Sequence, residues 1–358
     1  MTATNTTDIG PATGEGDIIF ELRDVSVSFE MERGESRVLD SVNMDIKREE
    51  ILGVVGESGS GKSMFAAALL DAVVHPGVVT GEITYYPRDG EPVDVLNLRD
   101  DELRRLRWNE ISMVFQGAMS SFNPTMKIKD HFEETIHAHR ANYTERMQHA
   151  RRLLSDLYLD PDRVLNSYPH ELSGGMKQRA LIALSLVLEP EVLVMDEPTA
   201  ALDLLMQRSI LSLLADLQEN YNLTVIFITH DLPLVAGLAD RLGVMYAFDF
   251  VEYGPSAEVV EDAGHPYTRA LLRSVPSVDA ALKEMRPIEG EAPDPVNVPQ
   301  GCSYHPRCPL ADRRCVESNP PFDEVGADHA AACFYVEQAQ TEVPYTVSEE
   351  RLAGGEGQ

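Results

Sequence analysis

The run Gly56-Glu57-Ser58-Gly59-Ser60-Gly61-Lys62-Ser63 narrows the possible folds of this chain more than any other stretch. It follows the apolar segment ILGVV and precedes a helix-forming segment, so it reads as the turn from a buried strand into a helix. Glycines at this spacing let backbone N–H groups turn inward on a phosphate chain, and the helix start adds a favourable dipole. Lys62 would then reach the β and γ phosphates of a nucleotide, and the Ser63 hydroxyl would ligate Mg²⁺. A loop of this kind belongs in an α/β fold.

Two further segments extend that chemistry. Val192-Leu193-Val194-Met195-Asp196-Glu197 is an apolar strand ending in two carboxylates, a costly arrangement unless a cation waits at the strand end. Asp196 would hold the metal, directly or through water, and Glu197 would polarise an attacking water as general base. Ser173-Gly174-Gly175, ahead of the helix MKQRALIALSLVL, offers a second phosphate-binding helix start.

Periodicity supplies the frame. IIFELRDVSVSF and VLDSVNMDIK alternate as strands, and LTVIFITHD comes after the amphipathic helix LMQRSILSLLADLQEN, the pattern of a parallel βαβ sheet. Residues 98–188 turn mostly helical and are expected to form a helical subdomain. A boundary is placed near Pro255, where a short helix, HPYTRALLRSVPS, gives way to a Pro-rich run. Residues 1–16 are expected to be disordered and 336–358 to be a solvated tail, with a nucleotide-binding unit at 17–255 and an extension at 256–335.

Composition removes other classes. The formal charge is −29, from 59 acidic against 30 basic residues, which disfavours nucleic-acid backbones as partners and fits a salt-rich, halophilic interior. No apolar run approaches the roughly 18 residues of a membrane span, and the N-terminus lacks a secretory pattern. A soluble protein at the cytoplasmic face of the membrane, linked to it through partner subunits, is expected.

Taken in order, these motifs resemble the ATP-binding subunits of ABC transporters, with LSGGMKQR at 172–179 as the most specific match. The resemblance covers about residues 17–335 and implies a P-loop NTPase core of RecA-like type, with a helical subdomain, an antiparallel β subdomain and a small Cys-rich extension. It implies that Gln116 is the Q-loop glutamine sensing Mg²⁺ and water. His230 resembles the switch histidine and Asp203 the D-loop aspartate. Phe29 lies where an aromatic ring stacks on adenine, or else fills the core. Ser173, Gly174, Gly175 and Gln178 would close over ATP held by Gly56–Ser63 of a second subunit.

SYPHELSGGMKQR, DEPTAALD, HPYTRALL and GCSYHPRCP place the resemblance closest to dipeptide and oligopeptide importers. It implies an ATPase driving peptide uptake through two permeases, in a dimer with a second, related ATPase, and served by an extracellular solute-binding protein. Nickel chelates and oligosaccharides are the alternative solutes; an exporter or a non-transport ABC ATPase is a more distant alternative. The chain departs from the family at Gly117-Ala118, where Asp-Pro is common, and at Phe248-Asp249, where a glycine and a basic residue are usual.

All four cysteines, Cys302, Cys308, Cys315 and Cys333, fall in one C-terminal stretch. Four thiols with no surplus fit a Cys₄ site, and a reducing compartment disfavours disulfides. Their spacing lacks the CxxC pairs of zinc ribbons, and some members of the resembled family carry a cluster behind the same GCxxxPRCP pattern. A [4Fe–4S] cluster is the expected cofactor, with Zn²⁺ the alternative.

Overall fold

Fourteen-residue strands β1 (Ile18–Met31) and β2 (Gly34–Lys47) open the structure, a computed structural model that describes residues 18–117, 121–200, 202–274 and 288–343. Short loops join β3 (Ile51–Val55), α1 (Lys62–Leu69), β4 (Val78–Tyr85), β5 (Val93–Asp94), α2 (Asp100–Asn109) and β6 (Ile111–Val114). The helical region holds α3 (Ile128–Ala138), α4 (Tyr143–Asp156), α5 (Pro161–Asn166) and α6 (Gly174–Ser185). Then come β7 (Val192–Asp196), α7 (Leu204–Tyr221), β8 (Thr224–Thr229), α8 (Leu232–Ala236), β9 (Arg241–Tyr246) and β10 (Asp249–Pro255). The remaining elements are α9 (Ser256–Glu261), α10 (Pro266–Arg273), α11 (Arg313–Glu317), β11 (Phe322–Gly326), β12 (His329–Ala332) and α12 (Val336–Glu342).

Two sheets result. The larger runs β11-β12-β10-β9-β3-β8-β7-β6, and the smaller, antiparallel one runs β2-β1-β4-β5. Strands β6, β7, β8, β3 and β9 are parallel neighbours. Their side chains alternate between two cores. Leu193, Met195, Val225 and Phe227 face the helical side, whereas Val192, Val194, Ile226 and Ile228 face the antiparallel sheet. A strand covered on both faces must be apolar throughout, which is why ILGVV and VLVMD show no polar alternation.

Local caps set the helix starts. Asp160 accepts the N–H of Arg163 at the start of α5, with Pro161 next in the chain. Ser173 accepts the N–H of Met176 at α6, and Asp203 that of Met206 at α7. Each side chain takes up an N–H that has no intrahelical acceptor, worth about 1 kcal/mol per cap.

The chain beyond Pro255 packs onto the core. Hairpin β11–β12 adds to the sheet edge through β10. Buried Glu252 of β10 accepts the N–H groups of Gly264 and His265 at 2.6 and 3.0 Å and pairs with His329 Nε2 at 2.8 Å. Residues 336–343, expected in the solvated tail, instead form α12 and its end: buried Arg269 donates to the carbonyls of Ala263, Gln340 and Val343. The expected disorder at 1–16 lies outside the described residues.

Candidate functional site

β3 delivers its last residue, Val55, from the interior straight into the glycine loop. Gly61 closes that loop with φ +107°, and a Cβ there would stand 2.7 Å from the Val38 carbonyl oxygen, so both backbone shape and space require glycine. Helix α1 begins at the next residue. Lys62 is buried, and its Nζ donates to the carbonyls of Gly56 and Glu57 at 2.8 Å each and to Ser60 Oγ at 3.3 Å. Burial lowers its pKa, opposed by the charges of Glu197, Asp196 and Glu57. The ammonium therefore lies where the loop meets the acidic end of β7.

Asp196 is also buried, and its carboxyl is raised above the usual range by burial, with Glu197 adding and the Ser63 hydroxyl bond and Lys62 opposing. Its Oδ1 atom has no hydrogen-bond partner. An orphaned carboxylate oxygen beside a hydroxyl fits a divalent cation with oxygen preference, so Asp196 and Ser63 are suited to hold Mg²⁺.

At Glu197 the strand bends into φ +46° while its N–H still donates to Ile228. The bend sets the carboxylate between two groups distant in sequence. His230 Nδ1 lies 3.0 Å from Oε1, and Gln116 Nε2 lies 3.5 Å from Oε2. The structure thus joins Gln116, Glu197 and His230, each from the C-terminal end of a different parallel strand, where α/β folds place their ligands.

The other expected residues sit apart from this group. Ser173 caps α6; Gln178 is buried on the same helix with Nε2 unpartnered; a Cβ on Gly175 would collide with the Met206 methyl. Asp203 caps α7, whose next residues Leu204 and Leu205 are 72 and 80 % exposed. The Phe29 ring is partly buried in the antiparallel-sheet core, close against Gly77. Gly117 has φ +73° and Ala118 lies outside the described residues.

Contacts that the sequence did not signal support the loop from behind. Ala247 and Phe248 form the two-residue turn between β9 and β10 with φ +48° and +76°, the left-handed pair of a type I′ hairpin normally filled by Asn-Gly. This is how the chain builds its unusual Phe248-Asp249 position. The Phe248 N–H donates to Ser60 and its carbonyl accepts from Asp40, so the turn braces the loop. The Asp249 carboxyl is pushed up to about 8 by burial, with the Asp40 charge adding and the Phe250 N–H opposing. A carboxyl with a raised folded pKa favours folding below its unfolded value and loses that contribution as pH climbs through the folded one. The melting temperatures of the parent and Asp249→Asn should therefore meet near pH 4 and separate up to about pH 8, the variant higher. A gap that stays constant from pH 5 to 8 would contradict the burial of this carboxyl.

The four cysteines are free thiols lining one small cavity with His265, Tyr304 and Phe334. Burial raises all four, Cys308 to about 11 and Cys333 to about 12. Gly301 permits the convergence: at φ +70°, a Cβ would stand 2.3 Å from the Cys315 carbonyl, which accepts the N–H of Cys302. Among the described residues, however, no three His, Cys, Asp or Glu side chains are arranged as a metal-ligand set. The four thiols share a cavity without the arrangement of metal ligands.

Comparison with known proteins places these features. The family described as "ABC transporter" matches residues 39–200, and "Oligopeptide/dipeptide transporter, C-terminal region" matches residues 251–315. A dipeptide transport ATP-binding protein of Caldanaerobacter subterraneus subsp. tengcongensis is 39% identical over 326 residues, covering 90% of this chain and 98% of the relative. An oligopeptide transport ATP-binding protein of Escherichia coli K12 is 38% identical, covering 93% and 98%. A dimeric bacterial ABC transporter cassette superposes with TM-score 0.57 at 28% identity, covering 66% of this chain and 99% of its own. No helix among the described residues is long and apolar enough to cross a membrane. Nucleotide loop, acidic strand and C-terminal region agree: the chain belongs to the family of dipeptide and oligopeptide ABC transporter ATP-binding proteins.

Proposed function

We propose that this chain is the ATP-hydrolysing subunit that powers import of dipeptides or oligopeptides through membrane-spanning permease partners. The observation that carries the reading is one continuous chain: an ABC ATPase site, and behind it a region of the oligopeptide and dipeptide transporter type, in relatives whose names state peptide transport.

The loop N–H groups and Lys62 bind the phosphates, drawing negative charge into a site whose own cation is already buried. Ser63 and Asp196, with Gln116 beside them, would hold Mg²⁺, which would supply positive charge against the phosphates. Glu197 orients the attacking water and accepts its proton. His230, donating from Nδ1, fixes Oε1, and Gln116 fixes Oε2, so the carboxylate is held before the reaction. Ser173, Gly174, Gly175 and Gln178 act across a dimer interface on the nucleotide of the opposite subunit. A dimeric cassette of known structure, bound to ADP and phosphate after hydrolysis, supports that reading. Exposed Leu204 and Leu205 beside Asp203 fit the same interface. Phe29 is proposed to flank the adenine.

The partner is a second, related ATPase at the cytoplasmic face, with two permeases and a solute-binding protein outside. The cysteine cavity is proposed to hold a [4Fe–4S] cluster, with Zn²⁺ as the alternative; its donor set is complete, and ligation would displace the four thiol protons. The acidic surface keeps its halophilic reading, and a melting temperature that does not move with molar KCl would remove it.

Reconstituted with permeases and binding protein, the ATPase should be stimulated by peptides; stimulation by a sugar or a nickel chelate alone defeats the solute assignment. Mass spectrometry of the same complex should find two kinds of ATPase chain. The anaerobically purified subunit should contain iron and absorb broadly near about 400 nm, and one zinc without iron in a colourless sample would reverse that assignment.

A further inference from the structure

We infer that Arg307, carried by the cysteine-bearing segment, is a positioning residue of the nucleotide site: it neutralises Glu57 and holds that residue of the glycine loop. The inference rests on reading Gly56–Ser63 as the ATP loop.

Glu57 is gripped at three points. Its carboxylate accepts a forked pair from Arg307, Nη1 to Oε2 at 2.7 Å and Nη2 to Oε1 at 3.1 Å. Its N–H donates to the Tyr267 hydroxyl at 2.9 Å, and its carbonyl accepts from Lys62 Nζ. Two of the three holders lie beyond Pro255. The fork is not a surface encounter, because the Arg307 side chain is only 5 % exposed. Its guanidinium is fixed by the carbonyls of Glu289 at 2.7 Å and Ile288 at 3.2 Å and by the Tyr246 hydroxyl at 3.4 Å. Tyr246 packs in turn on Tyr267 and Tyr304. Arginine suits this place because its planar fork matches a carboxylate in two bonds and loses little freedom once held.

The consequence is electrostatic. A loop that receives a polyanion contains a carboxylate, and without Arg307 that charge stands unpaired beside the phosphates in a partly buried, poorly screened site. The Glu57 N–H faces Tyr267, so the carboxylate is the part of Glu57 whose charge the bound phosphates feel. A side chain 250 positions away thus keeps the loop receptive.

Titration of the full-length subunit with a fluorescent ATP analogue and Mg²⁺ tests this. Arg307→Gln, which can still bond the two carbonyls, should weaken binding about tenfold, the order of one unpaired charge acting on another through a partly buried site. Arg307→Lys should stay within about threefold of the parent. Glu57→Gln combined with Arg307→Gln should return to within about threefold, because the unpaired charge is gone. Binding by Arg307→Gln within twofold of the parent, or a double variant as weak as the single, overturns the inference. Should Arg307→Gln fail to fold, Glu57→Gln alone is decisive: it should bind about threefold more tightly or better, and unchanged or weaker binding overturns the inference. Lys62→Ala separates the underlying assignment, since normal binding by that variant would show that the loop is not the ATP site at all.

Discussion

The Glu197→Gln subunit should hydrolyse ATP about 10³-fold more slowly than the parent, near the middle of the range for losing a positioned general base. Its MgATP affinity should stay within a few-fold, because Lys62, Ser63 and Asp196 are untouched. The geometry makes the prediction specific. Glu197 has one oxygen held by His230 at 3.0 Å and the other near Gln116 at 3.5 Å, so glutamine keeps the shape and loses only the proton-accepting charge. ATP-bound dimers should therefore accumulate and be visible by size-exclusion chromatography with MgATP. Single-turnover hydrolysis at the parent rate would show that another group takes the proton.

Asp196→Asn should act in opposite directions on stability and on catalysis. Asp196 is a buried carboxyl with Oδ1 unpartnered, and burial raises its pKa. Ionised Asp196 costs folding free energy wherever the pH exceeds its unfolded value, and asparagine escapes that cost. A rise of about 2–4 °C in melting temperature is expected, about 1 kcal/mol in a domain of this size. The same change removes the charge that would hold Mg²⁺, so ATPase activity should fall about 100-fold or more. In the parent, EDTA should erase most of the thermal stabilisation conferred by ATP, and in the variant it should change little. A destabilised variant that keeps its activity would defeat both parts.

The elements and residues legible in the sequence share a physical property: their signals are contiguous. The glycine loop declares itself because phosphate binding needs a particular run of backbone shapes. Strands β3, β7 and β8 declare themselves because covering both faces forces unbroken apolar runs, ILGVV, VLVM and VIFI. Ser173 and Asp203 stand out in the sequence for roles in a dimer, and within the chain they also start α6 and α7. The stretch from Val336 reads as tail because its polar composition hides what fixes it: α12 is held by a buried arginine, Arg269, reaching across from α10.

By itself, the sequence determined the glycine loop and the acidic strand end, their α/β frame and the order of the motifs, since each rests on neighbouring residues whose backbone and side-chain preferences act locally. Tertiary structure alone decided how those motifs are braced. Phe248 in its left-handed turn bonds Ser60, His230 and Gln116 converge on Glu197, and Tyr267 and Arg307 grip Glu57. These contacts join residues from 33 to 250 positions apart. No local preference encodes them, because they exist only once packing of the two cores has placed the C-terminal region against the loop.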